Sequence, residues 1–424
     1  DTRLGARLMR MLDDFARLSD EPDRLTRLYL SPAHKRACDQ LITLMHQAGM
    51  TVRSDPLATV IGRYEGSTSG APALLIGSHI DTVRNAGRYD GTLGVLAAVV
   101  AIEELNRTGE RRPFAVEVVA FGDEEGVRFP VTLCGSKALA GTIDPGVLHA
   151  IDSDGITLRE ALVAFGCDPG SIENARQVPE AVLAFVEAHI EQGPVLEAAG
   201  QPLGVVTAIN GAKRFRVGVT GVAGHAGTVP MQLRRDSLTA AAEMVLAVEE
   251  LVKASGQAVA TVGSLEVEPG AINVIAGTTI FSVDLRSPSN NVCDTLARDL
   301  ASAFKAIAGR RGVQVTFEET HAMRSVACSE HVIGELERAI EMTRSKPMKL
   351  PSGAGHDAMA MASLCDTGML FVRCRDGLSH HPDEAISEQD AHACVEALLN
   401  FIRIFEPITT RQPYSSCQPK TGTA

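Results

Sequence analysis

Residues 73–126 read ALLIGSHIDTVRNAGRYDGTLGVLAAVVAIEELNRTGERRPFAVEVVAFGDEEG, and this stretch decides the fold. Residues 73–80 form a short apolar run that predicts a buried strand, and residues 91–107 predict a helix closed by Gly109. Residues 115–121 predict a second strand. A strand–helix–strand unit of this kind crosses over right-handedly and lays both strands parallel in one sheet. We therefore predict an α/β protein with a mainly parallel sheet.

The middle of the chain has a different order of predicted strands and helices. Its predicted elements follow the order strand, helix, strand, strand, helix, strand, which is that of a ferredoxin-like α+β unit. They cover residues 213–220, 234–253, 258–267, 278–286, 291–309 and 313–318. Outside this region, apolar runs at 182–190 and 369–373 predict further strands of the main sheet.

This pattern predicts one domain inserted into another. We expect a main domain split into residues 1–210 and 325–406, and an inserted domain of residues 211–324. Residues 407–424 are polar and rich in Pro and Thr, which predicts a flexible tail.

Composition excludes several classes of protein. The chain has 424 residues, with 52 acidic and 40 basic side chains and a net charge of -12, which argues against nucleic acid as a partner. No apolar run reaches the roughly 18 residues of a transmembrane helix, so no membrane partner is expected. The nine cysteines are scattered, which predicts free thiols and a cytoplasmic location. The sequence also lacks the motifs of serine hydrolases and nucleotide-binding proteins.

Histidines and carboxylates follow four predicted strands of the main domain. Ligands bind at the carboxyl ends of strands in open α/β sheets, so we expect these side chains to converge. Mixed imidazole and carboxylate donors suit zinc, manganese, nickel or cobalt, and suit calcium or magnesium poorly. One catalytic zinc typically uses three protein ligands, so five donors predict two metals that share a carboxylate. The side chains at these strand ends are His79, Asp81, Asp90, Glu124, Glu125, His189 and His380.

Any one of these residues has an ordinary structural alternative. A single histidine after a strand is more often a hydrogen-bonded loop residue than a ligand, and a Glu-Glu pair is usually a solvated turn. Their joint occurrence at four strand ends favours the metal site.

Six blocks of this sequence resemble one family of hydrolases. They extend in order from about residue 30 to residue 405 and read GSHIDTVRNAGRYDGTLG, GDEEGVRFP, AHIEQGPVLE, GHAGTVPM, SGAGHDA and GLSHHPDE. They are similar to the amidase/hydantoinase–carbamoylase family, whose members are dinuclear zinc peptidase-like enzymes. These include N-carbamoyl-L-amino acid hydrolases, allantoate amidohydrolases and β-ureidopropionases. The resemblance implies a zinc-peptidase-like catalytic domain and an inserted ferredoxin-like lid and dimerisation domain.

The resemblance also implies roles for the metal ligands. His79 and His380 belong to different metals, Asp90 bridges them, and Glu125 and His189 each complete one of the two shells. The register selects His380 as the ligand, with His381 as the alternative. The cofactor implied is two divalent ions per subunit, zinc or else manganese, cobalt or nickel. In relatives the bond between Asp90 and Gly91 is often cis.

Further residues are assigned by the same resemblance. Glu124 is the general base, and His225 is expected to donate to the oxyanion that forms on the substrate carbonyl. His356 and Asp357 are expected to support the site from behind. The implied substrate-binding residues are Gln192, Lys213, His225, Asn273 and Arg286, of which Arg286 would grip a carboxylate.

These roles predict a metal-dependent amidohydrolase. Metal coordination lowers the pKa of water from about 15.7 towards about 7, so a metal-bound hydroxide would attack at neutral pH with Glu124 as general base. The expected substrate is an N-carbamoyl-L-amino acid, a small ureido acid, cleaved at the ureido C–N bond. Allantoate amidohydrolase and β-ureidopropionase activities are the nearest alternatives. A dinuclear metallopeptidase or deacylase is a more distant one. A binding protein without turnover is disfavoured because the base and all five ligands are present.

The predicted site draws on both domains. His225, Asn273 and Arg286 lie in the insert, whereas the metal ligands lie in the main domain. We therefore expect a lid that closes over the substrate, with hinges near residues 210–211 and 321–325. We also expect a homodimer joined through the inserted domain.

Overall fold

A computed structural model describes residues 2–408, and the predicted tail lies outside the described residues apart from its first two positions. Within this range the α-helices are α1 (Arg3–Ala16), α2 (Pro32–Gln47), α3 (Thr92–Thr108), α4 (Cys134–Leu139), α5 (Leu158–Phe165), α6 (Val195–Ala198), α7 (Ser237–Ser255), α8 (Asn290–Arg311), α9 (Glu330–Met342), α10 (Ala358–Met361) and α11 (Glu388–Ile404).

The strands belong to two large sheets and one small ribbon. They are β1 (Thr51–Ser54), β2 (Val60–Tyr64), β3 (Ala73–His79), β4 (Ala115–Phe121), β5 (Val182–Ile190), β6 (Leu203–Ile209), β7 (Gly211–Thr220), β8 (Gly224–His225), β9 (Val259–Thr261), β10 (Leu265–Glu268), β11 (Val274–Ile275), β12 (Thr278–Ser287), β13 (Gln314–Met323), β14 (Val326–Ala327), β15 (Lys349–Ser352) and β16 (Thr367–Val372).

The main sheet confirms the predicted α/β class. Its strands lie in the order β1-β2-β4-β3-β5-β16-β6-β14, and β15 pairs with β6. The four central strands, β4, β3, β5 and β16, are all parallel to their neighbours in this group. The outer pairs β1–β2, β2–β4, β16–β6 and β14–β6 are antiparallel, a feature that the apolar runs did not predict. The parallel centre carries the strand ends at which the candidate ligands lie.

Helix α3 approaches this sheet closely because of one glycine. A Cβ atom added at Gly94 would lie 2.0 Å from the carbonyl oxygen of Ala188 in β5, so a larger residue does not fit there. The first 11 residues of the helix, Thr92 to Ile102, are all buried, which matches their apolar sequence. The close approach holds Asp90, just before the helix, against the end of β5.

The second sheet lies in the predicted insert. Its order is β10-β12-β7-β13 with β9 on β12, and all its pairs are antiparallel. The predicted strand 258–267 is interrupted and forms β9 and β10 instead. Helix α7 begins after Asp236, whose carboxylate accepts from two helix N–H groups, and this cap places its start later than predicted.

The insert has its own hydrophobic core. Apolar side chains of β7 and β12, such as Val217 and Phe281, pack with α7 and α8 in a cluster separate from that of the main sheet. We propose on this basis that residues 211–324 form an inserted unit, with residues 1–210 and 325–406 as the main domain. Across residues 2–408, no helix is both long and apolar enough to span a bilayer. The cysteines described are all free.

Candidate metal centre and active site

Asp90 lies at the centre of the candidate site. One carboxylate oxygen, Oδ1, lies 3.4 Å from Nε2 of His79 and 3.1 Å from Nε2 of His189. The other oxygen, Oδ2, lies 3.4 Å from Nε2 of His380. Nε2 of His380 is also 3.5 Å from Oε2 of Glu125. The structure therefore brings together all five predicted ligands, from four separate segments of the main domain.

The five residues divide into two groups that share Asp90. His79, Asp90 and His189 form one group, and Asp90, Glu125 and His380 form the other. Within each group the possible ligand atoms lie within 4.8 Å of one another. Imidazole nitrogens and carboxylate oxygens in this number suit zinc and other first-row divalent metals.

Hydrogen bonds orient two of the imidazoles for such a role. Nδ1 of His79 lies 3.0 Å from the carbonyl oxygen of Asp81, and Nδ1 of His189 lies 2.9 Å from that of Ile190. A carbonyl accepts a hydrogen bond, so both Nδ1 atoms carry a proton and both Nε2 atoms face Asp90. The N–H of Gly91 donates to Nε2 of His189 at 3.2 Å, which agrees with this tautomer. The donor set thus fits a bound metal.

The electrostatics of the site attract positive charge. Burial alone would lower the pKa of His79, but Asp81 and Asp90 outweigh it and raise that pKa well above its ordinary value. Burial likewise opposes ionisation of Asp90, yet His189 and His79 hold its pKa well below the usual range. A divalent cation would satisfy the same carboxylates directly.

The structure also distinguishes two adjacent histidines. His380 contacts Asp90 and Glu125, whereas His381 accepts a hydrogen bond from the backbone N–H of Asp383 and lies near its carboxylate. His380 has a positive φ of 55°, a strained backbone conformation for a residue with a side chain. The Asp90–Gly91 bond differs from the expectation, because the cis bond found within residues 2–408 is Glu268–Pro269.

Asp81 couples two segments of the site. Its buried carboxylate accepts hydrogen bonds from the backbone N–H groups of Glu124 and Glu125, each at 3.2 Å. One of its oxygens also lies 3.5 Å from Nδ1 of His79. The turn after β4 is therefore fixed relative to the end of β3.

Glu124 forms a further group of possible metal ligands with His79 and Glu125. Its Oε2 is 3.9 Å from Nε2 of His79. Burial raises the pKa of Glu124 well above its ordinary value, with Glu125 adding to this and His79 opposing it. Burial also raises the pKa of Glu125, to about 8, with Asp90 as the next cause. Both carboxyls are therefore protonated more readily than exposed glutamates are.

A cavity of about 400 Å³ opens above these residues. Of the predicted substrate-binding residues, Gln192 and Arg286 line it. Nε2 of Gln192 donates to Oδ2 of Asp90 at 2.8 Å. Arg286 reaches the cavity from β12 of the insert, and its Nη1 donates to the carbonyl oxygen of Gly353 at 2.8 Å.

The other predicted substrate residues lie outside the lining of this cavity. Nζ of Lys213 pairs with Asp294 at 2.7 Å and with Glu319 at 3.2 Å, so its charge is used within the insert. His225 and Asn273 are exposed and lie close together, where β8 pairs with β11. The sequence motifs did not reveal that these two residues lie outside the cavity lining, because their position depends on how the two sheets are placed relative to each other.

Two predicted supporting residues lie behind the cluster. The ring of His356 packs edge-on against that of His189 with centroids 4.6 Å apart, and Nε2 of His356 lies 2.7 Å from Oγ of Ser352. Burial, with His189 as the next cause, lowers the pKa of His356 well below its ordinary value. Asp357 is fully buried beside it.

Sequence reasoning missed two residues in the last motif. Oγ of Ser379 lies 2.5 Å from Oδ2 of Asp90, to which it donates, and 3.1 Å from Oε2 of Glu384. Oε1 of Glu384 accepts from the backbone N–H groups of Tyr89 and Asp90. Burial and the charge of Asp90 raise the pKa of Glu384 to about 7. The block GLSHHPDE contained both residues, but nothing in it separates Glu384 from the exposed Asp383.

Arg214 and His321 of the insert also line the cavity and were not predicted. Both lie on strands with alternating side chains, and a charged residue at such a position usually faces solvent. The sequence therefore gave no reason to select them.

Comparisons with known proteins agree with this site. The family model for peptidase family M20/M25/M40 matches residues 75–404. The chain is 41% identical over 399 residues to the N-carbamoyl-L-amino acid amidohydrolase of Geobacillus stearothermophilus, covering 94% of this chain and 98% of that protein. It is 40% identical over 425 residues to the allantoate deiminase of Arabidopsis thaliana, covering 92% and 80% respectively.

A solved structure shows the same likeness. A hydantoinase/carbamoylase family amidase from Burkholderia multivorans matches with a TM-score of 0.89 at 33% identity, covering 95% of this chain and 98% of that one. These similarities confirm the resemblance drawn from the six sequence blocks.

Proposed function

Because the chain belongs to peptidase family M20/M25/M40, and is an amidohydrolase like its relatives, we propose that it cleaves the ureido C–N bond of N-carbamoyl-L-amino acids. Water would be added across that bond, which releases the free amino acid and carbamate, and the carbamate breaks down to ammonia and carbon dioxide. One observation carries the proposal: the cavity is lined both by members of the two ligand groups, Asp90, Glu125, His189 and His380, and by the guanidinium of Arg286.

Two divalent ions are part of this proposal. One would be held by His79, Asp90 and His189, and the other by Asp90, Glu125 and His380. Zinc is the expected metal, with manganese, cobalt or nickel as alternatives, since the donor set suits all four. When bound, the metal centre would polarise the ureido carbonyl and supply a nucleophilic water at neutral pH.

Glu124 is proposed to move the proton. A ureido carbonyl is a poor electrophile because both nitrogens donate electron density into it, so the leaving nitrogen must be protonated as the bond breaks. Glu124 would take the proton of the attacking water and give it to that nitrogen, a role worth typically about 10²- to 10⁴-fold in rate. The carboxylate is placed for this role, since its Oε2 lies 3.9 Å from Nε2 of the proposed ligand His79.

Arg286 and Gln192 are proposed to hold the substrate. Arg286 presents a planar guanidinium that matches a carboxylate, and its backbone partner Gly353 fixes it across the cavity. The side-chain oxygen of Gln192 is buried without a hydrogen-bond partner, so a substrate N–H would satisfy it.

The insert is proposed to act as a lid. Its two connections to the main domain lie side by side, because a Cβ added at Gly211 would be 2.6 Å from the backbone nitrogen of Ser325. Only Asn210 separates β6 from β7 on the first connection. Two short adjacent crossings can act as one hinge, and closure would exclude water from the cavity.

We also propose that the chain forms a homodimer through the insert. Around His225 and Asn273 the insert exposes large apolar side chains, including Met231, Leu233 and a fully exposed Ile272. Contiguous exposed apolar residues are typical of protein interfaces. A second copy of the chain covering this surface would also enclose His225 and Asn273, which otherwise face solvent.

Allantoate is the second candidate substrate. Relatives of similar identity include both an N-carbamoyl-L-amino acid amidohydrolase and an allantoate deiminase. Allantoate also contains a carboxylate beside a ureido group, so the same residues would bind it. N-carbamoyl-β-alanine and ureidoglycolate belong to the same chemical class.

One substrate panel tests the proposal. The metal-loaded enzyme is assayed for ammonia and free amine with N-carbamoyl-L-amino acids, their D-enantiomers, N-carbamoyl-β-alanine, allantoate, ureidoglycolate and N-acetyl-L-amino acids. We expect turnover of the L-carbamoyl series and none of the D-series. Turnover of acetyl substrates alone, with every ureido acid inert, would show that the proposal is wrong. Glu124→Gln is the matched control, since it should abolish turnover and retain the metal.

A further inference from the structure

One wall of the active-site cavity is the face of the inserted sheet that carries no helix. Side chains alternate along β7 and β12, and the apolar set faces α7 and α8. The opposite set includes Arg214, Asp284 and Arg286. Arg214 pairs in register with Asp284 on one side and with His321 on the other. Arg286 lies two residues beyond Asp284 and so shares its face.

Two guanidiniums on this wall share one carboxylate. Asp284 accepts from Nε and Nη2 of Arg286, at 2.8 and 3.2 Å, so it occupies one edge of that side chain. Asp284 also accepts from Nε of Arg214 at 3.0 Å. Within residues 2–408 no other acid forms an ion pair with either arginine. These three side chains together therefore carry one positive charge in excess.

The two arginines differ in what their hydrogen bonds leave available. Arg286 uses Nε, Nη1 and Nη2, the second of these on the carbonyl oxygen of Gly353. Among residues 2–408 the side chain of Arg214 donates through Nε alone, and it is 52% exposed. Asp284 thus orients Arg214 through Nε and leaves both of its Nη groups for a ligand.

Arg214 also stands at the junction of two cavities. A second cavity, of about 810 Å³, adjoins the site on the same sheet face. Arg214 and Arg286 line both cavities, and they are the two residues common to both linings. A substrate held at the metal ligands therefore has space to extend past the two guanidiniums.

We propose that Arg214 is a specificity-determining residue that binds a second acceptor group of the substrate, on the side-chain end beyond the carboxylate gripped by Arg286. The acceptor is a carboxylate, as in N-carbamoyl-L-aspartate, or a ureido carbonyl, as in allantoate. Either presents oxygen atoms to the two free Nη groups. This inference rests on the proposed function and names the class of ureido acid that the site prefers.

The test compares substrates that differ in the second acceptor. kcat/KM is measured for N-carbamoyl-L-aspartate and allantoate, and for N-carbamoyl-L-leucine and N-carbamoylglycine, which lack such a group. The enzymes are wild type, Arg214→Gln, Arg214→Lys and Arg216→Gln. Arg216 is the matched control because it lies two residues along the same strand, on the same face, and lines the second cavity without reaching the site.

We expect the wild type to favour the substrates with a second acceptor. Arg214→Gln should reduce that preference by about tenfold or more, mainly through KM, because a charge-assisted bond is lost. Arg214→Lys should lose less of the preference, since lysine keeps the positive charge but lacks the two-pronged guanidinium. This variant also keeps the inference testable if the Gln variant folds poorly. Arg216→Gln should leave the preference unchanged. The relative loss of kcat/KM on N-carbamoyl-L-aspartate and on allantoate shows which acceptor is recognised.

The outcomes separate this inference from the proposed function. Inactivity of the wild type on every ureido acid would contradict the proposed function. Wild-type activity together with an equal loss on all four substrates in Arg214→Gln would contradict only the inference. Arg214 would then merely hold Asp284 and Arg286 in place. An unchanged preference in both Arg214 variants would overturn the inference as well.

Discussion

Oδ2 of Asp90 lies 3.4 Å from Nε2 of His380, although the two residues come from the two separate segments of the main domain, one before and one after the insert. Asp90 precedes α3, and His380 follows the last strand of the parallel centre, β16. Their contact closes the ligand cluster across the edge of the sheet. Since Asp90 is also the residue shared by both ligand groups, the two metal positions should fail together when it is changed.

Asp90→Asn tests this sharing. The amide removes the negative charge that both groups use, so we expect both ions to bind at least about 10- to 100-fold more weakly and turnover to be lost. Metal content after dialysis, measured by elemental analysis, checks the result. Asp383→Asn, a nearby exposed carboxylate outside the groups, should retain both ions. Retention of one full equivalent by Asp90→Asn would show that Asp90 does not bridge.

His225 should act on the site of the partner subunit. It is exposed among apolar side chains on the insert and lies outside the lining of its own cavity. Glu124→Gln and His225→Ala should each be inactive alone. Mixed and allowed to exchange subunits, they should recover about a quarter of wild-type activity, since half the dimers are mixed and each has one intact site.

The matched control for this mixing experiment combines two single variants that both alter the main domain. Glu124→Gln mixed with Asp90→Asn should recover nothing, because both changes damage residues of the same cavity. Light scattering must show dimers throughout. If the His225→Ala mixture forms dimers but recovers no activity, His225 acts within its own subunit. If light scattering shows only monomers, the dimer proposal is wrong.

Gly94→Ala should destabilise the main domain. The added Cβ would lie 2.0 Å from the carbonyl oxygen of Ala188, so α3 must shift away from β5, at a cost of about 1–3 kcal/mol. Urea unfolding measures the change. Gly334→Ala in α9 is the control, because its Cβ meets nothing within 4 Å and should stabilise that helix by about 0.5–1 kcal/mol. Equal effects of the two changes would refute the close approach.

An ion-pair cluster on the surface should weaken in acid. Glu104 bonds to Arg107 and also to Arg3, which ties α1 to α3. The Arg107 hydrogen bond, with that of Arg3, lowers the pKa of Glu104 to about 2. Because the folded-state pKa is depressed, the stabilisation is present above the ordinary pKa of 4.5 and is lost as the pH falls towards 2.

Glu104→Gln tests the direction of this pH dependence of stability. The variant should be less stable than wild type by up to about 1 kcal/mol at neutral pH, and the difference should shrink between about pH 5 and about pH 3. Urea midpoints across that range measure it. Glu103 has a more exposed carboxylate and pairs with Arg7, so Glu103→Gln should cost less. A difference that grows in acid would contradict the assignment.

The local sequence determined the main-sheet architecture and the candidate ligands. An apolar run such as 73–80 is buried on both faces wherever it lies, and residues that follow parallel strands meet at one edge. His79, Glu125 and His189 could therefore be selected before their distances were known. The edges of the sheet were not predictable in this way, because the pairing of β6 and β14 depends on segments far apart in the chain.

Only the tertiary structure decided which residues of the insert face the metal ligands. Lys213 and Arg214 are adjacent in the sequence, yet Lys213 pairs with Asp294 and Glu319 whereas Arg214 lines the cavity. Strand alternation sends neighbouring side chains to opposite faces, but it does not say which face meets the main domain. That choice is set by long-range packing of the two sheets, which no local pattern of charge or hydrophobicity encodes.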